Sequence, residues 1–237
     1  MPGYLLKQAS IGVAGVADLL IRSLRDKQQF SDPLGEAADR GISSAAWPMF
    51  GLLWPSGLHL AAAMAARPLV VGESILEIGC GLALASLVSH RRGALVTASD
   101  SHPLAGSFLL ENLRLNALPP MRYCHGDWMP HTAPQPGPAL VVGPLVQGRF
   151  DLIIGSDVLY ERDDAGTLAA FIGRHALPSS AVLIVDPNRG NRPAFNRQMA
   201  ALGYALNDVA IRVLPSDADK QAAYSGRMLQ YRRCAAS

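Results

Sequence analysis

One octapeptide constrains this chain more than any other: Ile75-Leu-Glu-Ile-Gly-Cys-Gly-Leu82. An apolar run that breaks into Gly-x-Gly and resumes with helix formers reads as a buried strand turning sharply into a helix. Gly79 and Gly81 let the backbone adopt left-handed conformations and approach a ligand with no Cβ in the way. Leu84 stands where the dinucleotide fingerprint has its third glycine, which weakens a pyrophosphate cradle. Glu77, just ahead of the turn, points the same way. Its carboxylate would repel pyrophosphate but accepts hydrogen bonds in the site of a cationic cofactor. Cys80 lies between the two glycines.

The same pattern recurs downstream. Strands are predicted at 74–78, 94–98, 121–125, 150–155 and 181–185, with helices at 82–90, 103–116, 164–176 and 193–202. Strand-then-helix units imply a parallel sheet with helices on both faces. Unbroken apolar runs such as Leu152-Ile-Ile154 suit strands buried on both sides. Segments 209–214 and 228–232 alternate apolar and polar residues with no helix between them, so they predict an antiparallel C-terminal hairpin that brings the sheet to seven strands. Residues 1–45 read as an N-terminal extension and 46–237 as one domain. The Pro-rich stretch 129–148 reads as an inserted loop.

Composition narrows the function classes. The chain has 237 residues, 49% hydrophobic, with net charge +2 and no basic stripe, which excludes a typical nucleic-acid binder. Its three cysteines (Cys80, Cys124, Cys234) are distant and odd in number, against a disulfide framework or a CxxC zinc site. A reducing cytoplasm is the expected compartment. The six histidines show no metal-ligand spacing, and no metal is expected. The richest apolar run, 58–72, is broken by Arg67 and Pro68, so no membrane span or membrane partner is expected. No leader peptide is expected at 11–21 either. The residues leave the oligomeric state open, with a monomer as the starting expectation.

In open α/β sheets the ligand sits beyond the carboxyl ends of the strands, so the residues there matter most. Asp100 ends the second strand about 20 residues past the glycine turn, where a carboxylate binds ribose hydroxyls or caps the next helix. Asp127-Trp128 follows the third strand and offers an acceptor and a flat ring to a purine, or a core plug. Trp54, in Trp54-Pro-Ser-Gly57, is either an aromatic wall over the cofactor or a core residue. Ser156-Asp157 follows the fourth strand, with Tyr160 at helical i, i+3 spacing from Asp157. A carboxylate beside a phenol can receive an ammonium nucleophile and orient it, while a helix cap and a packed ring are the plain alternatives.

Together these residues resemble methyltransferase family 16, the seven-β-strand class I S-adenosylmethionine (SAM)-dependent methyltransferases that include protein-lysine methyltransferases. The matching segments are Trp54-Pro-Ser-Gly57, Leu76-Glu-Ile-Gly-Cys-Gly-Leu82, Ser99-Asp100, Asn112-Leu-Arg-Leu-Asn116, Gly126-Asp-Trp128 and Ser156-Asp-Val-Leu-Tyr-Glu161. The resemblance implies a Rossmann-like class I fold, with SAM as methyl donor and S-adenosylhomocysteine as product. Trp54, Glu77, Gly79, Cys80, Gly81, Asp100, Asp127, Trp128 and Ser156 would line the cofactor site. Asp157 and Tyr160 would form the substrate site, with a protein lysine as acceptor. A small-molecule methyltransferase, a catalytically silent SAM-binding protein and a nicotinamide oxidoreductase are the competing readings. The stretch Asp186-Pro-Asn-Arg-Gly-Asn-Arg192 departs from the family pattern and bears on the substrate.

Overall fold

A computed structural model describes residues 3–128, 144–215 and 223–235. A hairpin of β1 (Leu6–Ile11) and β2 (Leu19–Leu24) leads to a 3-10 turn, Trp47–Gly51. The main unit follows: α1 (Pro55–Ala66), β3 (Ser74–Ile78), α2 (Leu84–Arg91), β4 (Leu95–Asp100), α3 (Ala105–Leu115), β5 (Arg122–His125), β6 (Phe150–Ser156), α4 (Thr167–His175), β7 (Ala176–Asp186), α5 (Arg192–Ala201), β8 (Ala205–Val213) and β9 (Tyr224–Arg233).

The seven main strands lie in the order β5-β4-β3-β6-β7-β9-β8. Strands β3 to β7 pair in parallel, whereas β9 runs antiparallel to β7 and to β8. This is the mostly parallel seven-stranded sheet with an antiparallel terminal hairpin that the alternation predicts. The order reverses at β3, so the crevice between β3 and β6 is the switch point where ligands of such sheets bind.

Period-two alternation divides the core into two layers. Ile75, Leu152, Ile154, Leu183 and Val185 face one side, packed with α1, α2, α3 and the N-terminal hairpin. Leu76, Ile78, Ile153, Val182 and Ile184 face the other, packed with α4 and α5. Strands β3, β6 and β7 are therefore apolar on both faces, as their continuous hydrophobic runs require.

Some boundaries move, each for a local reason. Helix α2 starts at Leu84, two residues late, because the backbone from Gly79 to Ala83 is occupied by left-handed turns. Helix α3 starts at Ala105, leaving Pro103 in the preceding turn. Helix α4 starts at Thr167, where the Asp163 carboxylate accepts the N–H groups of Thr167 and Leu168, both at 2.9 Å, and so satisfies donors that a helix start leaves open. Strand β7 begins five residues early, directly after α4. The expected 129–148 loop falls mostly on 129–143, outside the described residues. Its end returns to the sheet, since His125 N–H donates to Pro144 O at 2.9 Å and Leu145 bridges His125 in parallel.

The N-terminal hairpin was not legible in the mixed pattern of 1–45. It is held by the Asn112-x-x-x-Asn116 segment. Asn112 Oδ1 accepts from Arg22 N–H at 2.8 Å, and Asn116 Oδ1 accepts from Leu20 N–H at 2.9 Å. Asn116 Nδ2 donates back to Leu20 O at 2.8 Å and Asn112 Nδ2 to Arg22 O at 3.4 Å. Four residues of helix advance about 6 Å and two residues of strand about 6.8 Å, so two side-chain amides at i, i+4 match alternate residues of a strand edge. The asparagines complete β2 as a neighbouring strand would.

The run Trp47–Ala66 has a mean hydropathy of 1.3 and meets the length and composition of a membrane span. It is broken at Leu52, which is extended, and packs Trp47, Phe50, Leu60, Ala61 and Met64 into the core.

Candidate cofactor and acceptor site

The turn after β3 carries left-handed residues at alternate positions: Gly79 (φ 56°), Gly81 (φ 51°) and Ala83 (φ 59°). At Gly81 the demand is steric as well, since a Cβ would lie 2.9 Å from the Phe50 carbonyl oxygen. At Gly79 a Cβ would lie 3.0 Å from Val158 Cγ1 and 3.8 Å from the Trp128 ring. The glycine turn thus brings the chain after β5 and the chain after β6 against the end of β3.

Asp100 locks this arrangement from β4. Its Oδ2 accepts from Gly81 N–H at 2.8 Å and its Oδ1 from His102 N–H at 2.8 Å. Burial raises its carboxyl above the usual range, opposed by those N–H donors. A carboxylate has about four acceptor positions, so Asp100 can still accept from an added hydroxyl. Cys80 N–H donates to Ser99 O at 2.9 Å, and its thiol is buried and pushed up.

Glu77 takes its hydrogen bonds from within the fold. It is buried, and its Oε2 accepts from the backbone N–H of Ser86 at 2.8 Å and from the Ser86 hydroxyl. The carboxylate ties β3 to the first turn of α2. Burial moves its carboxyl from the ordinary 4.5 up to about 7, with Ser86 opposing. Glu77 therefore fixes the turn that faces the cofactor crevice.

Asp127 and Trp128 are partly exposed beyond β5. Gly126 sets their path: its N–H donates to Asp100 O at 3.0 Å, and a Cβ there would lie 2.9 Å from Ser99 Oγ. Trp128 O accepts from Arg174 at 3.1 Å. Ser156 ends β6, its Oγ 3.6 Å from where a Gly57 Cβ would stand. Trp54 stands just before α1 and donates Nε1–H to Met49 O at 2.8 Å, half-buried. An aromatic cluster beneath supports Phe50: His102 stacks on it at 3.7 Å and Trp47 meets it edge-on at 5.8 Å. Burial holds His102 neutral, down to about 3.

The segment from Asp157 to Tyr160 is not the helical turn that its spacing predicts. Asp157 is left-handed (φ 57°), its N–H donates to Val185 O at 2.9 Å, and the chain continues without helix to Thr167. The two side chains have different neighbours. Tyr160, 54% exposed, lines a cleft with Trp128, Val158, Asp163, Asn191 and Phe195. Asp157 instead pairs with Arg189, whose Nε donates to its Oδ1 at 2.6 Å.

Arg189 is a site residue the sequence reading missed, although its segment stood out as unusual. Tyr224 is another, with nothing in the pattern to flag it. Its hydroxyl lies 3.0 Å from Ser56 Oγ, and its ring sits 4.1 Å from that of His59. Among the described residues no cluster of three or more His, Cys, Asp or Glu is placed to hold a metal.

The donor set fits the group that the resemblance implies. A bare-backbone turn, a buried carboxylate at the next strand end and an indole beside the glycines are what an adenosine-bearing cofactor needs. Fold and strand ends together define a class I methyltransferase architecture.

Comparison with known proteins agrees. No family model matches the chain. The electron transfer flavoprotein beta subunit lysine methyltransferase of Mus musculus is 31% identical over 147 residues, covering 60% of this chain and 51% of that protein. The histone-arginine methyltransferase METTL23 of Rattus norvegicus is 28% identical over 153 residues, covering 61% and 64%. The chain thus spans about half the length (51%) of the lysine methyltransferase it matches. Among solved structures, the magnesium protoporphyrin IX methyltransferase of Synechocystis PCC 6803, with bound SAM, superposes with a TM-score of 0.57 at 15% identity over 87% of this chain and 100% of that one. A methyltransferase from Pyrococcus furiosus gives 0.54 at 18% identity over 84% and 99%. These two likenesses establish the fold.

Proposed function

We propose that this chain is a SAM-dependent protein-lysine methyltransferase. The observation that carries the reading is the convergence at the switch point: the left-handed Gly79–Gly81 turn, bonded to Asp100 and faced by Trp128. The 31% identity to a protein named as a lysine methyltransferase supports the acceptor.

SAM, when bound, supplies an electrophilic sulfonium methyl group. The chain's own residues do the rest. Asp100 would take the ribose hydroxyls, Trp128 the purine face, and the glycine turn the amino-acid end. Asp157 offers a carboxylate to a lysine ammonium, whose ordinary pKa near 10.4 keeps it protonated and non-nucleophilic in water. The Asp157 carboxylate would hold the ammonium in place and accept its proton, while partial desolvation favours the neutral amine whose lone pair attacks the methyl group. Placement close to the methyl group supplies much of the rate. The three cysteines are free thiols, Cys80 and Cys124 buried, which supports a reducing compartment such as the cytoplasm.

A second reading, with arginine as acceptor, is favoured only by the 28% identity to a histone-arginine methyltransferase. The test is incubation of the chain with methyl-labelled SAM and cell lysate, followed by hydrolysis of the labelled protein. Methyl-lysine in a discrete band supports the proposal. Methyl-arginine moves the acceptor, and label confined to small molecules overturns it.

A further inference from the structure

Two acidic side chains stand at adjacent strand ends. Ser156 pairs with Val185 in the sheet, so Asp157 and Asp186 follow side by side. Asp186 is fully buried and anchors the next turn, its Oδ2 accepting from the Arg189 backbone N–H at 3.1 Å. It also has Arg192 at 3.9 Å. Asp157 has only 11% of its side chain exposed, and its charge is met by the Arg189 guanidinium at 2.6 Å. The Arg189 side chain is 39% exposed, so its backbone is tied down while its head lies at the surface.

A cationic acceptor that enters at Asp157 therefore finds its counter-charge already taken. An uncompensated, mostly buried carboxylate is costly, which explains why the site holds a cation at rest. Arginine stays protonated at any physiological pH, so the pair is not released by deprotonation. Exchange of a guanidinium for an ammonium leaves the local charge unchanged. A neutral acceptor would strand the carboxylate, so the exchange selects for cations.

We infer that Arg189 is a resident place-holder for the acceptor cation: it occupies Asp157 until a substrate ammonium displaces it, and so sets the concentration of protein substrate needed and the requirement for a charged acceptor. This rests on the reading in which Asp157 receives the acceptor side chain. Arg189 acts through Asp157 and is a positioning residue.

The test compares wild type, Arg189→Gln, Arg189→Lys and Asp157→Asn in methyl transfer from labelled SAM, with serially diluted lysate protein as the probe. Removing the competitor should lower the half-saturating lysate concentration of Arg189→Gln about 5- to 10-fold, with the maximal rate within about twofold of wild type. Arg189→Lys should return it toward wild type. S-adenosylhomocysteine affinity by calorimetry should match across the set, which checks that each variant folds. If Arg189→Gln raises the half-saturating concentration or leaves it unchanged while wild type labels protein and Asp157→Asn does not, the place-holder is wrong and the lysine reading stands. If wild type labels no protein, or Asp157→Asn labels it as well as wild type does, the underlying reading fails instead.

Discussion

The backbone N–H of Gly81 donates to Asp100 Oδ2 at 2.8 Å, so the turn after β3 and the acid that ends β4 form one unit. Neither is free to move without the other. Gly81 also sits against the Phe50 carbonyl, which adds the segment before α1 to the same unit.

Gly81→Ala should therefore damage cofactor binding first. The left-handed backbone costs about 1 kcal/mol for alanine, and the added Cβ meets Phe50 O at 2.9 Å. Affinity for S-adenosylhomocysteine should fall at least about tenfold. Calorimetric titration checks this, and unchanged affinity would show that the turn is not the cofactor cradle.

Asp157→Asn should separate binding from chemistry. Asparagine tolerates the left-handed backbone at this position, so the fold should persist. Methyl transfer should fall by about 10²–10⁴-fold, the range for loss of a proton-handling group. S-adenosylhomocysteine affinity should stay within about twofold. A rate equal to wild type would remove Asp157 from the mechanism.

Glu77 should make stability pH-dependent. Its carboxyl titrates near 4.5 in the unfolded chain and at about 7 when folded. The folded state therefore binds the extra proton between those values. The stabilisation is full below about 4.5 and is lost as pH rises to about 7. Asp100, also raised by burial, works in the same direction. Glu77→Gln should flatten the decline by up to about 3 kcal/mol, since each pKa unit is worth about 1.4. Thermal unfolding of both proteins between pH 4 and 8 checks it, and parallel slopes would refute the assignment.

Asn112→Ala and Asn116→Ala should loosen the N-terminal hairpin. Each removes two hydrogen bonds to β2, worth about 1 kcal/mol apiece. The amides of Leu20 and Arg22 should lose hydrogen-exchange protection while those of β3 keep theirs. Unchanged protection at β2 would mean that the side-chain ladder does not hold it.

Much of this was legible in the sequence, because continuous apolar runs and glycine turns are local signals. Ile75 to Leu82 announced both strand and turn, and the C-terminal alternation announced the hairpin. The residues that stayed hidden depend on contacts far along the chain. Arg189 reaches Asp157 across 32 positions, and the Asn112 and Asn116 side chains meet a strand 90 and 96 positions earlier. The i, i+3 spacing of Asp157 and Tyr160 does not mark a helical turn, since a left-handed Asp157 bonded to Val185 starts an irregular segment. Glu77 was recognised as unusual, but the Ser86 amide it satisfies lies in the next helix and leaves no mark in the local pattern.

A SAM site at the carboxyl ends of β3, β4 and β5 has a direct consequence for ligand binding. Calorimetric titration of the wild-type chain with S-adenosylhomocysteine, and separately with NADH, tests it most directly. One saturable S-adenosylhomocysteine site is expected, weakened at least about tenfold in Asp100→Ala, with no NADH binding. Saturable NADH binding without S-adenosylhomocysteine binding would contradict it.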